Sequence, residues 1–242
     1  MDGPDPSSRI SSAPTWSLSG FVEGARLSLP VLPGTTIFAL AFGTIAAQKG
    51  LTLLSTALMS AIVYAGAAQL VVMEIWPRQL TPVAIATLAA VAATVNLRFV
   101  LMSASLRPWF GPLPAWQSYP ALSLTTDATW LIGLRYHTGG GTDVGVFVGN
   151  GLAIWTAWVA ATMVGHALGA LIDPARYGLD LIMPIFFSAM LIPLWRGARR
   201  AAAWAIAGAV ALLCAWLVPG WWFIVIGALA GSIAGGLLDD RE

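Results

Sequence analysis

Long apolar runs separated by short polar interludes dominate this chain. A membrane-spanning helix needs ~20 mainly apolar residues. Eight stretches approach that length: 27–48, 53–76, 82–105, 118–136, 144–171, 179–196, 201–218 and 221–238. The connections between them are short, most under ten residues, which leaves no room for a soluble domain. The pattern predicts an all-α, polytopic integral membrane protein with a single transmembrane domain over 18–242. The stretch 1–17 is rich in Pro, Ser and Asp, has no apolar h-region, and is expected to be a disordered cytoplasmic tail.

Two segments carry internal helix breakers. The first holds Pro30 and Pro33 followed by Gly34, and a helix restarting at Pro33 would be too short to cross a core of ~30 Å. It is expected to be broken or re-entrant, or else kinked by proline alone. The sixth, LDLIMPIFFSAMLIPLW, contains Pro184 and Pro193. Non-helical backbone at membrane depth survives where it is buried in protein or lines a cavity, and interrupted helices build transporter binding sites.

Composition strengthens the membrane reading. The chain is 58% hydrophobic and 10% charged, with mean hydropathy +0.79, against ~25% charged residues in soluble domains. A net charge of +1 provides no basic field for nucleic acid. The lone Cys214 leaves no intramolecular disulfide to form. With eight crossings, Arg9, Arg26, Arg78, Arg135, Arg196, Arg199, Arg200 and Arg241 share one side, and Lys49, Arg107 and Arg176 the other. Seven crossings abolish that asymmetry, so the positive-inside rule favours eight, with both termini cytoplasmic.

Few polar groups lie inside the spans, and an ionised one costs at least ~2.5 kcal/mol at a helix centre. Asp127 stands at the midpoint of 118–136, in the octapeptide TTDATWLI, with hydroxyls at Ser123, Thr125, Thr126 and Thr129 around it. Arg98 lies in 82–105 at an offset a guanidinium can bridge, so an Arg98–Asp127 pair is expected, either as a site or only as a packing tie. Asn96 is ~200° around the helix from Arg98 and faces elsewhere. Ala57, Ala61, Ala65 and Gln69 form a small-residue stripe, and its amide needs a partner. Gly149, Asn150 and Gly151 interrupt 144–171. Uncharged donors and acceptors of this kind suit a small zwitterionic solute better than a metal ion. His166 has no second ligand at metal spacing and reads as a helix-interface histidine. No nucleophile motif occurs, and neither metal nor cofactor is expected.

Three stretches, YAGAAQL (64–70), NLRFVLMSASL (96–106) and TTDATW (125–130), resemble in order and spacing the signature segments of the AzlC (YgaZ-type) family. EGARLSLPVLPGTTIFALAFGTIAAQKGL (23–51), with its Phe42–Gly43, and LDLIMPIFFSAMLIPL (179–194) also resemble its Pro-containing regions. The similarity runs from about 20 to 238. It implies the large subunit of a branched-chain amino acid exporter in the bacterial inner membrane. Such a subunit works with a small hydrophobic AzlD/YgaH-type membrane protein and is driven by the proton motive force. Where many members have a histidine after Asn-Leu-Arg this chain has Phe99, and where they have a second acid it has Ala128. Both differences remove titratable groups.

The expected function is therefore export of branched-chain or other small neutral amino acids through a site within the bilayer. Its substrate-binding or coupling residues are Asp127, Arg98, Asn96, Gln69, Thr126, Pro33, Gly34 and Gly66. Asp127 is the ammonium partner or proton carrier, and Arg98 the counter-charge or carboxylate ligand. The backbone opened at Pro33–Gly34 offers a helix N-terminus to a carboxylate. The competing readings are a non-transporting membrane scaffold and an intramembrane enzyme using Asp127 with His166.

Overall fold

The computed structural model describes residues 14–169, 198–218 and 222–239. Two compact units divide the chain, Met1–Leu179 and Asp180–Glu242. The described residues are almost entirely helical, with a lone bridge between Thr15 and Asp143.

In the first unit the long helix α9 (Val144–Gly169) is the scaffold, and two others lie along it. Helix α1 (Leu18–Ser28) starts at Ser17, whose hydroxyl accepts from Gly20 N at 2.9 Å. Pro30, which has no N–H to continue the ladder, follows, and α2 (Leu32–Gln48) restarts with Pro33 in its first turn. The two helices meet at 71°. Glycines allow both to press onto α9. A Cβ at Gly149 would stand 1.9 Å from Phe21 O, and one at Gly43 would stand 2.0 Å from Thr162 O. Phe38 and Phe42 pack on Trp158, with ring centroids 5.7 and 6.2 Å away. The expected segment 27–48 is thus a broken pair whose first limb begins nine residues earlier than expected.

The segment 53–76, expected as one span, is interrupted. Helix α3 (Leu53–Leu58) runs into a π-helical turn (Met59–Val63), and Tyr64 then takes a left-handed conformation (φ 43°, ψ 45°) before α4 (Gly66–Glu74) begins. Helix α5 (Pro82–Ser105) matches the expected boundaries, starting at a Thr81 cap. It buries little beyond Val91 and leaves Leu97, Val100 and Leu101 exposed, as suits a helix surrounded by acyl chains.

The segment 118–136 is also two helices. A short α6 (Arg107–Phe110) leads to α7 (Ala115–Leu122), and after a break at 123–126 the chain resumes as α8 (Asp127–Thr138). Leu106, Trp109, Phe110, Ala121, Val144 and Phe147 form the core at this end. Trp109 stacks on His137 at 5.1 Å, and its indole N–H donates to Thr142 O. Of the stretch 1–17 the described residues are tied down: Thr15 bonds across to residues 142 and 144, and the Asp143 carboxylate accepts from both Ser17 groups, N–H and hydroxyl. Carboxylate and cap fix those residues.

The second unit pairs α10 (Ala198–Leu217) with α11 (Trp222–Asp239) in antiparallel fashion. Gly227 faces Ala211 and Gly231 faces Ala207, a small-residue seam that permits close approach. Cys214 is buried. The proline-bearing segment 179–196 lies wholly outside the described residues.

By length and composition, α5 and α9 can each cross a membrane, and the bent α1–α2 pair makes a third crossing if it is one span. The interruptions explain why the eight expected segments are not eight uniform rods among the described residues.

Candidate functional site

Three helix breaks fall at one level of α9. Helix α1 contacts α9 from Gly145 to Asn150, and α2 contacts it from Trp158 to Gly169, so the bend at 29–31 lies between Asn150 and Trp158. The Tyr64 hydroxyl reaches Gly151 O at 3.5 Å, which puts the α3–α4 break at the same level. A Cβ at Gly151 would stand 2.7 Å from Leu124 Cβ, which puts the α7–α8 break there too. Each of α2, α4 and α8 begins at this level, so the positive ends of three helix dipoles are presented together. Neither α2 nor α4 has a side-chain cap.

Asp127 belongs to this junction, and not to the middle of a helix as the apolar run suggested. It is the first residue of α8. Thr126 is the N-cap, extended (φ −127°, ψ 172°), and its hydroxyl accepts from Thr129 N at 3.2 Å. An acid in the first turn is favoured by the unsatisfied amides and the dipole.

Arg98 meets it from α5, with Nη2 2.9 Å from Asp127 Oδ2. The two side chains keep 34% and 39% exposure. The guanidinium also lies over the Phe99 ring, 5.3 Å from its centroid. Arg98 Nε is buried without an acceptor, as Asn96 Oδ1 is without a donor. The pair expected from sequence is formed.

Gln69 is buried, and its Nε2 donates to Met59 O, at the start of the π turn, at 3.1 Å. That bond fixes the amide orientation and leaves Oε1 as an unpaired buried acceptor. Gln69 lines an open groove of about 330 Å³ between α4 and α5, together with Met59, Val63, Ala68, Leu88 and Ala92. Asn96 stands one helical turn beyond Ala92 on the same face of α5. Gly66 opens α4 against Trp158, whose Cη2 would be 2.5 Å from a Cβ there. Trp158 Nε1 is buried and unpaired.

Pro33 and Gly34 are placed differently from expectation. Backbone is not opened there; both residues sit in the regular first turn of α2, exposed, with nothing within 4 Å of a Gly34 Cβ. The opening is at 29–31, ahead of them.

Two of the uncharged groups singled out in the sequence sit here: Asn150 is buried, with Nδ2 donating to Thr129 O at 3.2 Å and Oδ1 unpaired, and Thr125 Oγ1 is buried and unpaired as well. Sequence reasoning missed Trp155 and the role of Tyr64. Trp155 donates to Ala61 O at 3.0 Å, holding another carbonyl of the π turn. Tyr64, in the α3–α4 break, reaches α9 through its hydroxyl, 3.5 Å from Gly151 O.

His166 is not brought to Asp127. Its Nε2 is 2.9 Å from Leu51 O, and it lies about 24 Å along α9 from Asn150 at 1.5 Å per residue. Among the described residues no group of three His, Cys, Asp or Glu side chains is placed to hold a metal.

Comparison with known proteins places these features in a wider set. The family described as AzlC protein matches residues 30–172, more than half of the chain. The inner membrane protein YgaZ of Escherichia coli (strain K12) is 25% identical over 98% of this chain and 94% of its own length. An uncharacterized membrane protein of Helicobacter pylori (strain J99) is 22% identical over 86% of this chain and 90% of its own. No solved structure matches the chain.

Proposed function

The chain belongs to the AzlC family, and from that premise we propose that it is the large subunit of a secondary transporter exporting branched-chain or other small neutral amino acids. As a multi-pass membrane protein of transporter type it agrees with its relatives. The finer reading adds the substrate, a proton motive force as driver, a small AzlD/YgaH-type subunit as partner, and a bacterial inner membrane with both chain termini in the cytoplasm.

The observation that carries this reading is the meeting of three helix breaks with one ion pair at a single level of α9. A packing tie needs no interrupted backbone, whereas a transported zwitterion needs a donor set, an acceptor set and a way past them. Asp127 receives the substrate ammonium or the counter-moving proton. Arg98, released from Asp127 by that event, turns to the substrate carboxylate, with its free Nε–H as a second donor. The uncapped start of α4 at Gly66 adds amide donors. Gln69 and Asn96 supply acceptors at the groove between α4 and α5, whose apolar walls take an aliphatic side chain. Thr126 holds Asp127 in place. With Phe99 and Ala128 beside the pair, proton handling rests on Asp127 alone.

The test is efflux of labelled leucine, isoleucine, valine and methionine from dipeptide-loaded cells, with and without the chain and its small partner. Efflux above the empty background, abolished by a protonophore, is expected. Equal efflux in both cell lines for every amino acid contradicts the substrate assignment.

A further inference from the structure

The order of contacts along α9 fixes the direction of each broken helix. Both α9 and α5 are long and apolar enough to cross a membrane, so the Val144 end of α9 marks a first face and the Gly169 end a second. Leu51 lies towards the second face, where its carbonyl accepts from His166 Nε2 at 2.9 Å. Helix α5 ends at the first face: Trp109, just beyond its last residue Ser105, donates to Thr142 O at 3.1 Å and shares a core with Val144. With about 36 Å of rise over its 24 residues, α5 starts at the second face. The chain between Leu51 and Pro82 therefore leaves the second face and returns to it. On the way it reaches the depth of 151–155 on α9, where Trp155 donates to Ala61 O and the Tyr64 hydroxyl is 3.5 Å from Gly151 O. It reverses there: Gln69 Nε2 meets Met59 O at 3.1 Å, although ten residues of continuous helix would separate the two by about 15 Å.

The stretch 107–141 does the same from the other side. Asp127, Trp130 and His137 of α8 meet Arg98, Ser105 and Trp109 in the same order, through the ion pair, a 2.8 Å bond from Trp130 Nε1 to Ser105 Oγ, and the ring stack. Helix α8 thus runs beside α5 towards the first face, and α7 carries the chain inwards from it. Both ends of that descent are seen: Gln117 Oε1 accepts from Trp16 Nε1 near the first face, and Leu124 packs on Gly151. Helices α4, α7 and α8 have 9, 8 and 12 residues, about 12–18 Å of rise, and none crosses a core of ~30 Å alone.

We propose that α3–α4 and α7–α8 are re-entrant hairpins that enter the bilayer from opposite faces and whose tips converge on Gly151 of α9. The opened backbone at each tip is then buried against protein, as irregular backbone at membrane depth requires. Residues 18–169 cross three times, by α5, by α9 and by α1–α2, which runs from Ser17 beside Asp143 to Thr44 beside Gly165. The topology stands apart from the transport reading and supplies what that reading needs. The groups assigned to the substrate are divided between two hairpins of opposite entry, Asp127 on one and Gln69 on the other.

The experiment reads the sidedness of the connecting loops in the whole chain. With the lone cysteine removed as Cys214→Ala, single cysteines are placed at exposed positions as Lys49→Cys, Arg78→Cys, Arg107→Cys and Thr138→Cys. Each is labelled with a membrane-impermeant maleimide in intact cells and in inverted vesicles. Lys49→Cys and Arg78→Cys are expected to label from one side, and Arg107→Cys and Thr138→Cys from the other. Full crossings by 53–76 and 118–136 would instead pair Lys49 with Arg107 and Arg78 with Thr138. Separation of Lys49 from Arg78 overturns the α3–α4 hairpin, separation of Arg107 from Thr138 overturns the α7–α8 hairpin, and four labels on one side overturn the opposed entry. Repeats as Gln48→Cys, Gln79→Cys, Pro112→Cys and Gly139→Cys keep each loop readable where one variant fails to fold. Labelling needs no substrate. Opposed hairpins without efflux of any amino acid would therefore refute the transport reading and leave the topology standing, and efflux by a chain whose loops pair as full crossings would do the reverse.

Discussion

Replacing Asp127 by asparagine leaves the Arg98 guanidinium without its carboxylate. An unpaired arginine at the centre of a spanning helix costs roughly 2.5–3.5 kcal/mol. Here the side chain keeps 34% exposure and rests on the Phe99 ring, which reduces the expected loss to about 1–2 kcal/mol. The reverse change, Arg98→Gln, strands a carboxylate at the first residue of α8, where the dipole favours it by ~0.3–1 kcal/mol, so less than about 1 kcal/mol is lost. Removing both charges returns stability to within about 0.5 kcal/mol of the wild type, since no unpaired charge remains. The assay is thermal unfolding of the purified protein in one detergent, beside amino acid efflux at matched expression. Asp127→Asn should melt lowest, Arg98→Gln nearer the wild type, and the double variant nearly at it, with efflux lost in all three. A double variant that recovers both melting and efflux would show that the pair only ties helices together. An Arg98→Gln protein less stable than Asp127→Asn would refute the argument from the helix dipole.

Three further outcomes follow from the packing. Gly149→Ala places a methyl 1.9 Å from Phe21 O and should cost about 1–3 kcal/mol by forcing α1 off α9, seen as a lower melting temperature and poorer yield. Gln69→Leu removes the donor to Met59 O beside the π turn and should cost about 1–3 kcal/mol in the same measurement, and Gln69→Glu, whose ionised carboxylate sets a second acceptor against that carbonyl, should cost at least as much. His166→Ala loses only a bond to Leu51 O, so a stability loss of about 1 kcal/mol with efflux retained is expected. Loss of all activity there would instead revive an enzymatic role for this histidine.

Much of this architecture could be read from the residues, and the remainder had physical reasons for staying hidden. Helix α5 ended where its apolar run ended, because Thr81–Pro82 is a local start signal and the helix needs little from its neighbours. The Pro30–Pro33 break was legible because proline removes a backbone donor wherever it stands. The Arg98–Asp127 pair was legible because two rare charges in hydrocarbon seek each other. The breaks at Tyr64 and at 123–126 were not read, since a window of ~20 residues averages over an interruption of two to four. A signal for the second was present all the same: Thr126 followed by Asp127 is a cap with an acid in the first turn. No such local signal marks Tyr64. Its conformation is imposed by Gln69, Trp155 and α9, contacts that exist only after folding.

The central claim is that Asp127 is a transport residue held at a junction of broken helices. Counterflow in proteoliposomes containing the chain with the proposed small partner subunit tests it most directly. Unlabelled leucine inside should draw labelled leucine in, and the Asp127→Asn protein, reconstituted in equal amount and still bound to the proposed partner, should show exchange no higher than empty vesicles. Counterflow that survives in Asp127→Asn would contradict the account.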